Sequence, residues 1–269
     1  MYLDLLARTL TRYQMDSVHK PLDPFTRKPW VRSAYGFVDR TLARRGFQLV
    51  KRVQHDYSMR ALGADVPIDA ETGIGLSRLE NLRESIETVM ADDVRGDLLE
   101  AGVLRGGASI YMRAVLAVHG DSSRTVWVAD SFEGPPTPDL EEFPQDADMF
   151  LHLIPAMAVS VDEVQRNFAR YGMLDDRVRF LKGWFKDTLV DAPITNLSIL
   201  RLDGDSYEAT TQIFDALYDK VSPGGFVIVD DYLRFSECKQ ATDDFRDKYD
   251  ITEPFSEIDL DGIVWRKGS

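Results

Sequence analysis

The sequence predicts an α/β fold: a doubly wound, mostly parallel sheet with helices on both faces and a helical N-terminal extension. Three observations predict it. From Gly96 onward, short apolar runs of strand length alternate with stretches of helical period, the pattern of successive βα units. Two of these runs, Leu197–Leu202 and Phe226–Val229, flank a helical stretch, Thr210–Val221, that sets Ile213, Leu217 and Val221 on one face. A strand–helix–strand unit crosses over right-handed and lays its strands parallel, so their carboxyl ends share one edge of the sheet. Each of the two runs ends in acids: Asp203 and Asp205 after the first, Asp230 and Asp231 after the second.

The elements follow in order. Residues 1–13 read as a short amphipathic helix, after which Pro21, Pro24 and Pro29 break regular structure. Ser33–Val53 reads as a helix interrupted at Gly46, and residues 54–76, with Gly63, Pro67, Gly73 and Gly75, as irregular. Leu79, Leu82, Ile86 and Met90 give Ser77–Ala91 helical spacing. Gly96–Val103 is the first strand, Arg105–Ser109 a glycine turn, Ile110–His119 a helix and Thr125–Ala129 the second strand. Glu133–Phe150 is rich in Pro and Asp and reads as a long loop, either a lid or a mobile surface segment. Val161–Tyr171 is a helix, Val178–Lys182 a strand, Lys239–Tyr249 a helix and Gly262–Arg266 a late strand. The chain divides at residues 1–92, an extension that covers the site, and 93–269, the main domain.

With 269 residues and 44% hydrophobic content the chain can bury one large core. Its net charge of −13 is unevenly spread: residues 1–60 carry twelve Lys/Arg against five Asp/Glu, the remainder 20 against 40. An acidic chain is a poor polyanion binder, so no nucleic-acid partner is expected. The basic segment suits docking on an acidic surface of its own or a neighbouring subunit, as in a homo-oligomer, or is a solvated arm. One cysteine, Cys238, leaves no intrachain disulfide and no Cys-type zinc site, and suits a reducing cytoplasm. His19, His55, His119 and His152 stand at no metal spacing. No apolar stretch is long enough to span a membrane, and the N-terminus has an acid where a signal peptide is basic.

The acids at the two strand ends would repel one another unless a cation neutralised them, and hard oxygen ligands favour Mg²⁺, Ca²⁺ or Mn²⁺. Each also has a plainer reading, Asp205 as a turn residue and Asp230–Asp231 as a solvated strand end. The first βα turn, from Glu100 through Gly102, Gly106 and Gly107 to Ser109, lets backbone approach a ligand at a helix N-terminus. It is not Gly-x-Gly-x-x-Gly, which argues against a nicotinamide or flavin. Asp130 ends the second strand, where an acid accepts ribose hydroxyls or simply makes a turn. Trp184 and Phe185 beside Gly183 flank an adenine ring or pack in the core.

Several segments carry a resemblance: Met-Tyr-Leu-Asp-Leu-Leu at 1–6, Gly-Ile-Gly-Leu-Ser-Arg-Leu-Glu-Asn-Leu at 73–82 and Glu-Ala-Gly-Val at 100–103. Asp-Ser-Phe-Glu-Gly follows at 130–134, Leu-Lys-Gly-Trp-Phe-Lys-Asp-Thr-Leu at 181–189, Leu-Arg-Leu-Asp-Gly-Asp-Ser-Tyr-Glu at 200–208 and Val-Ile-Val-Asp-Asp-Tyr at 227–232. In this order they resemble class I S-adenosylmethionine-dependent methyltransferases, above all the macrocin O-methyltransferase (TylF-type) family of sugar O-methyltransferases from antibiotic pathways. The resemblance implies the Rossmann-like sheet of that class, S-adenosylmethionine and Mg²⁺. It implies that Glu100 and Gly102 line the methionine end of the cofactor, with Ser109 on the same side. Asp130 and Ser131 would hold the ribose, Gly183 and Trp184 the adenine, and Thr72 and Ile74 would close over the cofactor. Gly73 stands where the family carries methionine. Asp203, which also borders the cofactor, would bind Mg²⁺ with Asp230 and Asp231, and Asp205 would be the general base. The acceptor would be a hydroxyl of a deoxysugar, on a glycosylated natural product or an activated sugar. Two other readings stay open: a catechol-type phenolic methyltransferase, which would want a lysine where Asp205 and Ser206 stand, and a non-catalytic S-adenosylmethionine-binding protein. A phosphoryl-transfer enzyme is disfavoured by the lack of Gly-x-x-x-x-Gly-Lys-[Ser/Thr].

Overall fold

The computed structural model describes residues 1–21, 38, 41, 42, 44–47, 50–54, 56–65, 67 and 69–268. Helix α1 (Tyr2–Leu10) buries Leu3, Leu6, Ala7 and Leu10 on one side. Strands β1 (Ser17–Pro21) and β2 (Val50–Gln54) pair antiparallel. Residues 50–53 are therefore strand where the local pattern predicts the end of a helix; their partners lie 29 to 35 positions back, beyond the reach of local periodicity. Most of the rest of that predicted helix, with Pro24 and Pro29, lies outside the described residues. A short helix, α2 (Tyr57–Ala61), occupies part of the stretch predicted irregular, because the Asp56 carboxylate accepts the Ser58 and Met59 N–H groups and caps it. Helix α3 (Leu76–Ala91) follows.

The βα alternation then runs β3 (Asp97–Ala101), α4 (Gly107–Val118), β4 (Val126–Asp130), α5 (Val161–Arg170), β5 (Val178–Lys182), α6 (Phe185–Thr188) and β6 (Leu197–Leu202). It closes with α7 (Tyr207–Leu217), β7 (Val221–Val229), α8 (Ser236–Lys248), β8 (Phe255–Glu257) and β9 (Ile263–Arg266). The sheet order is β5-β4-β3-β6-β7-β9-β8. The first five strands are parallel, and β9 and β8 are added antiparallel. Neither α6, a single turn, nor β8, whose three residues are all exposed, carries a periodic apolar signal.

Central strands of a parallel sheet are buried on both faces, and alternate residues point to opposite layers. Leu98, Val126, Val128 and Ile199 pack with α1, α3, α4 and α5 in one core. Leu99, Trp127, Ala129, Leu200 and Leu202 pack with Ile213, Phe214 and Leu217 of α7 and Phe245 of α8 in the other. The N-terminal α1 thus shares a core with the sheet. Strand order reverses between β3 and β6, which leaves a crevice at their carboxyl ends, the place where such sheets bind ligands. The parallel ladder runs on into the acidic segments: Asp203 N–H donates to Ala101 O (2.8 Å) and Asp230 N–H to Leu202 O (2.9 Å). No helix among the described residues is long and apolar enough to cross a membrane.

Candidate active site

A cavity of about 640 Å³ opens on this edge, walled by the segments that leave β3, β4, β5, β6 and β7. That volume is in the range of small-molecule sites. Among the residues singled out from sequence, Thr72, Ile74, Glu100, Gly102, Asp130, Ser131, Trp184, Asp203, Asp205, Asp230 and Asp231 line it. Ser109 and Gly183 do not. Ser109 is fully buried and donates its hydroxyl to Glu100 from behind. Gly183, at φ +142°, turns the chain and gives its N–H to Asp130 O (3.0 Å), so that Trp184 rather than Gly183 reaches the cavity.

One half of the cavity is shaped by glycines and an acid. Gly102 sits at φ +88°, and a Cβ there would lie 1.9 Å from the Asp203 carbonyl oxygen, so only glycine lets β3 and β6 exit side by side. Gly107 donates to Glu71 O (3.0 Å), which lays the 71–74 strap, with Thr72 and Ile74 buried, across the first turn of α4. The Asp130 carboxylate accepts Val103 N–H at Oδ2 and Phe132 N–H at Oδ1, both at 2.8 Å. Burial still pushes its pKa up; Ser131 Oγ also stands within reach of Oδ1 (3.4 Å), and Oδ2 keeps a further lone pair for a ligand hydroxyl.

The other half is acidic. Asp203, Asp205 and Asp231 each bring a carboxylate oxygen within 4.8 Å of the others. Asp230 lies beside this trio, its two oxygens 2.5 Å from Arg78 and Arg201. Asp205, predicted as a base, is therefore in the converging set, and Asp230, predicted as a ligand, is at its border. Arg201 also grips Glu100 (2.6 Å) and Asp203 (2.8 Å), while Arg78 also holds Asp259 (2.8 Å) and Asp261 (3.1 Å). The Glu100–Arg201 contact follows from register, since the two residues are direct neighbours on β3 and β6.

Burial pushes Asp205 up to about 8, helped by repulsion from Asp203 and Asp230. Burial, then the neighbouring acids, also raises Asp203 and Asp231. Burial lifts Glu100 to about 7 against the pull of Arg201 and Ser109. Asp205 holds φ +59°, a left-handed conformation that Asp tolerates better than most residues. Asp231 Oδ2 is buried without a hydrogen-bond partner among the described residues. Convergent hard oxygens, mutual repulsion and an orphaned buried oxygen together fit a divalent cation.

A pH effect follows. A carboxyl whose pKa is higher folded than unfolded stabilises the fold at low pH, and that contribution is lost as pH rises through the folded value. For Asp203, Asp205 and Asp231 the loss begins above the ordinary carboxylate range and, for Asp205, extends to about 8. Added Mg²⁺ should therefore raise the melting temperature more at pH 8 than at pH 5. Equal shifts at both pH values, read by calorimetry, would take the cation away from this cluster.

Arg78, Arg201, Arg234 and Asp146 were not anticipated. Arg201 has a visible signal, the one charge in the buried run of β6, where a cation must be paired. Arg234 brings a half-exposed cation to the cavity, 3.3 Å from Asp261, and no local pattern marks it.

A family model described as macrocin-O-methyltransferase (TylF) matches residues 1–267. A Streptomyces olivaceus protein, 8-demethyl-8-(2,3-dimethoxy-alpha-L-rhamnosyl)-tetracenomycin-C 4'-O-methyltransferase, is 53% identical over 212 residues, 78% of this chain and 81% of its own. The Micromonospora griseorubida mycinamicin III 3''-O-methyltransferase is 40% identical over 272 residues, 100% of this chain and 97% of its own. The solved structure of the O-methyltransferase NovP, 41% identical, superposes with a TM-score of 0.85 and covers 100% of this chain and 98% of its own. The chain belongs to the macrocin O-methyltransferase (TylF) family and is a methyltransferase.

Proposed function

We propose that this chain transfers a methyl group from S-adenosylmethionine to a sugar hydroxyl of a glycosylated natural product in antibiotic biosynthesis. In this reading Asp203, Asp230 and Asp231 hold Mg²⁺ and Asp205 takes the proton. The observation that carries it is the acidic cluster, with Asp203, Asp205 and Asp231 within 4.8 Å, set in the same cavity as the ribose-competent Asp130. The names of the relatives, a rhamnosyl-tetracenomycin 4'-O-methyltransferase and a mycinamicin 3''-O-methyltransferase, support a sugar acceptor.

S-adenosylmethionine supplies the sulfonium methyl, and a bound divalent cation lowers the pKa of an alcohol beside it. The chain does the rest. Asp130 receives a ribose hydroxyl on the remaining lone pair of Oδ2, and the strap of Thr72 and Ile74 covers the cofactor. Arg78 and Arg201 fix Asp230 without using all of its lone pairs, and ligating carboxylates are commonly held by such further hydrogen bonds. Burial of Asp205 makes its carboxylate a stronger base than an ordinary Asp. The remaining task is alignment of hydroxyl and methyl. The positions after Asp203 are Gly204, Asp205 and Ser206, which favours an alcohol over a phenol activated by lysine.

The test is transfer from methyl-labelled S-adenosylmethionine to a panel of deoxysugar glycosides, with Mg²⁺ or with EDTA. Labelling of a sugar hydroxyl only with Mg²⁺ is expected. Labelling that survives EDTA would remove the cation from the reading, and labelling of phenols alone would overturn the sugar.

A further inference from the structure

The Pro- and Asp-rich stretch after β4 is anchored at one buried carboxylate. Asp146 is 1% exposed, whereas Asp139, Glu141, Glu142 and Asp148 of the same stretch are exposed. Burying a carboxylate is costly unless it is well hydrogen-bonded. Asp146 accepts Tyr207 N–H at Oδ1 (2.7 Å) and Glu208 N–H at Oδ2 (3.0 Å). Ser206 Oγ takes the next amide, Ala209 N–H (3.1 Å). These are first-turn amides of α7, which no carbonyl within the helix can serve. Ser206 is an ordinary local cap; Asp146 caps from 61 positions away. Phe143 adds a ring contact with Tyr207, 6.4 Å between centroids.

The location gives this cap its meaning. Helix α7 begins two residues after Asp205, so the turn bearing Asp203 and Asp205 is held by β6 at one end and by α7 at the other. The stretch containing Asp146 also supplies the apolar wall of the cavity, with Pro135, Pro138, Met149, Leu151 and Met157. One carboxylate therefore ties that wall to the turn carrying the acids.

We propose that Asp146 is a positioning residue for methyl transfer, locking the 135–157 wall against the helix start that places Asp203 and Asp205. The proposal rests on the reading that those two aspartates act in the transfer.

The test compares Asp146→Ala, Asp146→Asn and Asp205→Asn with a control, Asp121→Ala. The Asp121 carboxylate likewise accepts two backbone N–H groups and pairs with Arg124, but in the turn before β4, on the opposite edge of the sheet. Asp146→Ala should lower kcat/KM for the sugar acceptor about 10- to 100-fold, the scale of a small misplacement of reacting groups, with KM for S-adenosylmethionine little changed. Chymotrypsin should cut it faster at the exposed Phe150. Asp146→Asn, which keeps one accepting oxygen, should recover part of both. Asp121→Ala should lose thermal stability and alter neither. Wild-type acceptor kinetics and protease resistance in Asp146→Ala would overturn the proposal, as would the same kinetic change in Asp121→Ala. If the alanine variant does not fold, Asp146→Asn carries the same two readouts. Full activity in Asp205→Asn would overturn the functional reading instead, and protease resistance would still decide the anchoring.

Discussion

Asp205→Asn should lower kcat by about 10²- to 10⁴-fold, the range that loss of a positioned general base spans. KM for S-adenosylmethionine should stay unchanged, because the residues proposed to hold the cofactor, Thr72, Ile74, Gly102, Asp130 and Trp184, line the cavity apart from the acidic cluster. Asparagine is the substitution that isolates the chemistry. It matches aspartate in size, and it tolerates the left-handed φ of +59° that most residues would not. The variant should also melt higher than wild type in the absence of cation, and more so at pH 8 than at pH 5, because it removes one member of a mutually repelling set. Activity lost while stability rises is the signature of a residue placed for function. Titration calorimetry with Mg²⁺ then separates the two roles open to the converging acids. Asp230→Asn should weaken Mg²⁺ binding more than Asp205→Asn; the reverse order would make Asp205 a ligand and Asp230 only its support. Wild-type kcat in Asp205→Asn would remove it from the mechanism.

How much of this was legible in the sequence depends on the range of the interactions involved. The strand β6 and the helix α7 were readable because their apolar spacing is local, and topology then brought Asp203 and Asp230 to one edge. The partnership of Glu100 with Arg201 was not readable, because it is set by the pairing register of β3 with β6. Strand β2 was read as helix because its partner β1 lies far back in the chain. Asp146 is one acid among several in a polar loop, and only the free amides of a helix 61 positions on distinguish it. The family resemblance puts Ser109 on the cofactor side; its hydroxyl turns inward, to a glutamate nine residues before it.

Arg201→Met should destabilise the fold by about 3–5 kcal/mol, the scale of breaking a buried ion pair by removing one partner. Arg201 is 1% exposed and touches Glu100, Asp203 and Asp230 at once. Methionine would fill much of its volume but leave those acids facing one another, with Arg78 reaching only Asp230 among them. The loss should appear in urea melts as a lower midpoint at unchanged slope. Arg201→Lys should recover only part, because an ammonium carries the charge without the planar fork that reaches acids on two sides. Protonation offers the acids another escape: Glu100 already sits at about 7. The Met variant should accordingly lie closer to wild type at pH 5 than at pH 8, and a deficit independent of pH would mean that lost packing, rather than unpaired charge, dominates. Because the same guanidinium orients Asp203 and Asp230, stability and methyl transfer should fall together in Arg201→Lys. In Asp205→Asn they should part, and that contrast separates a residue that holds the acids in place from one that uses them.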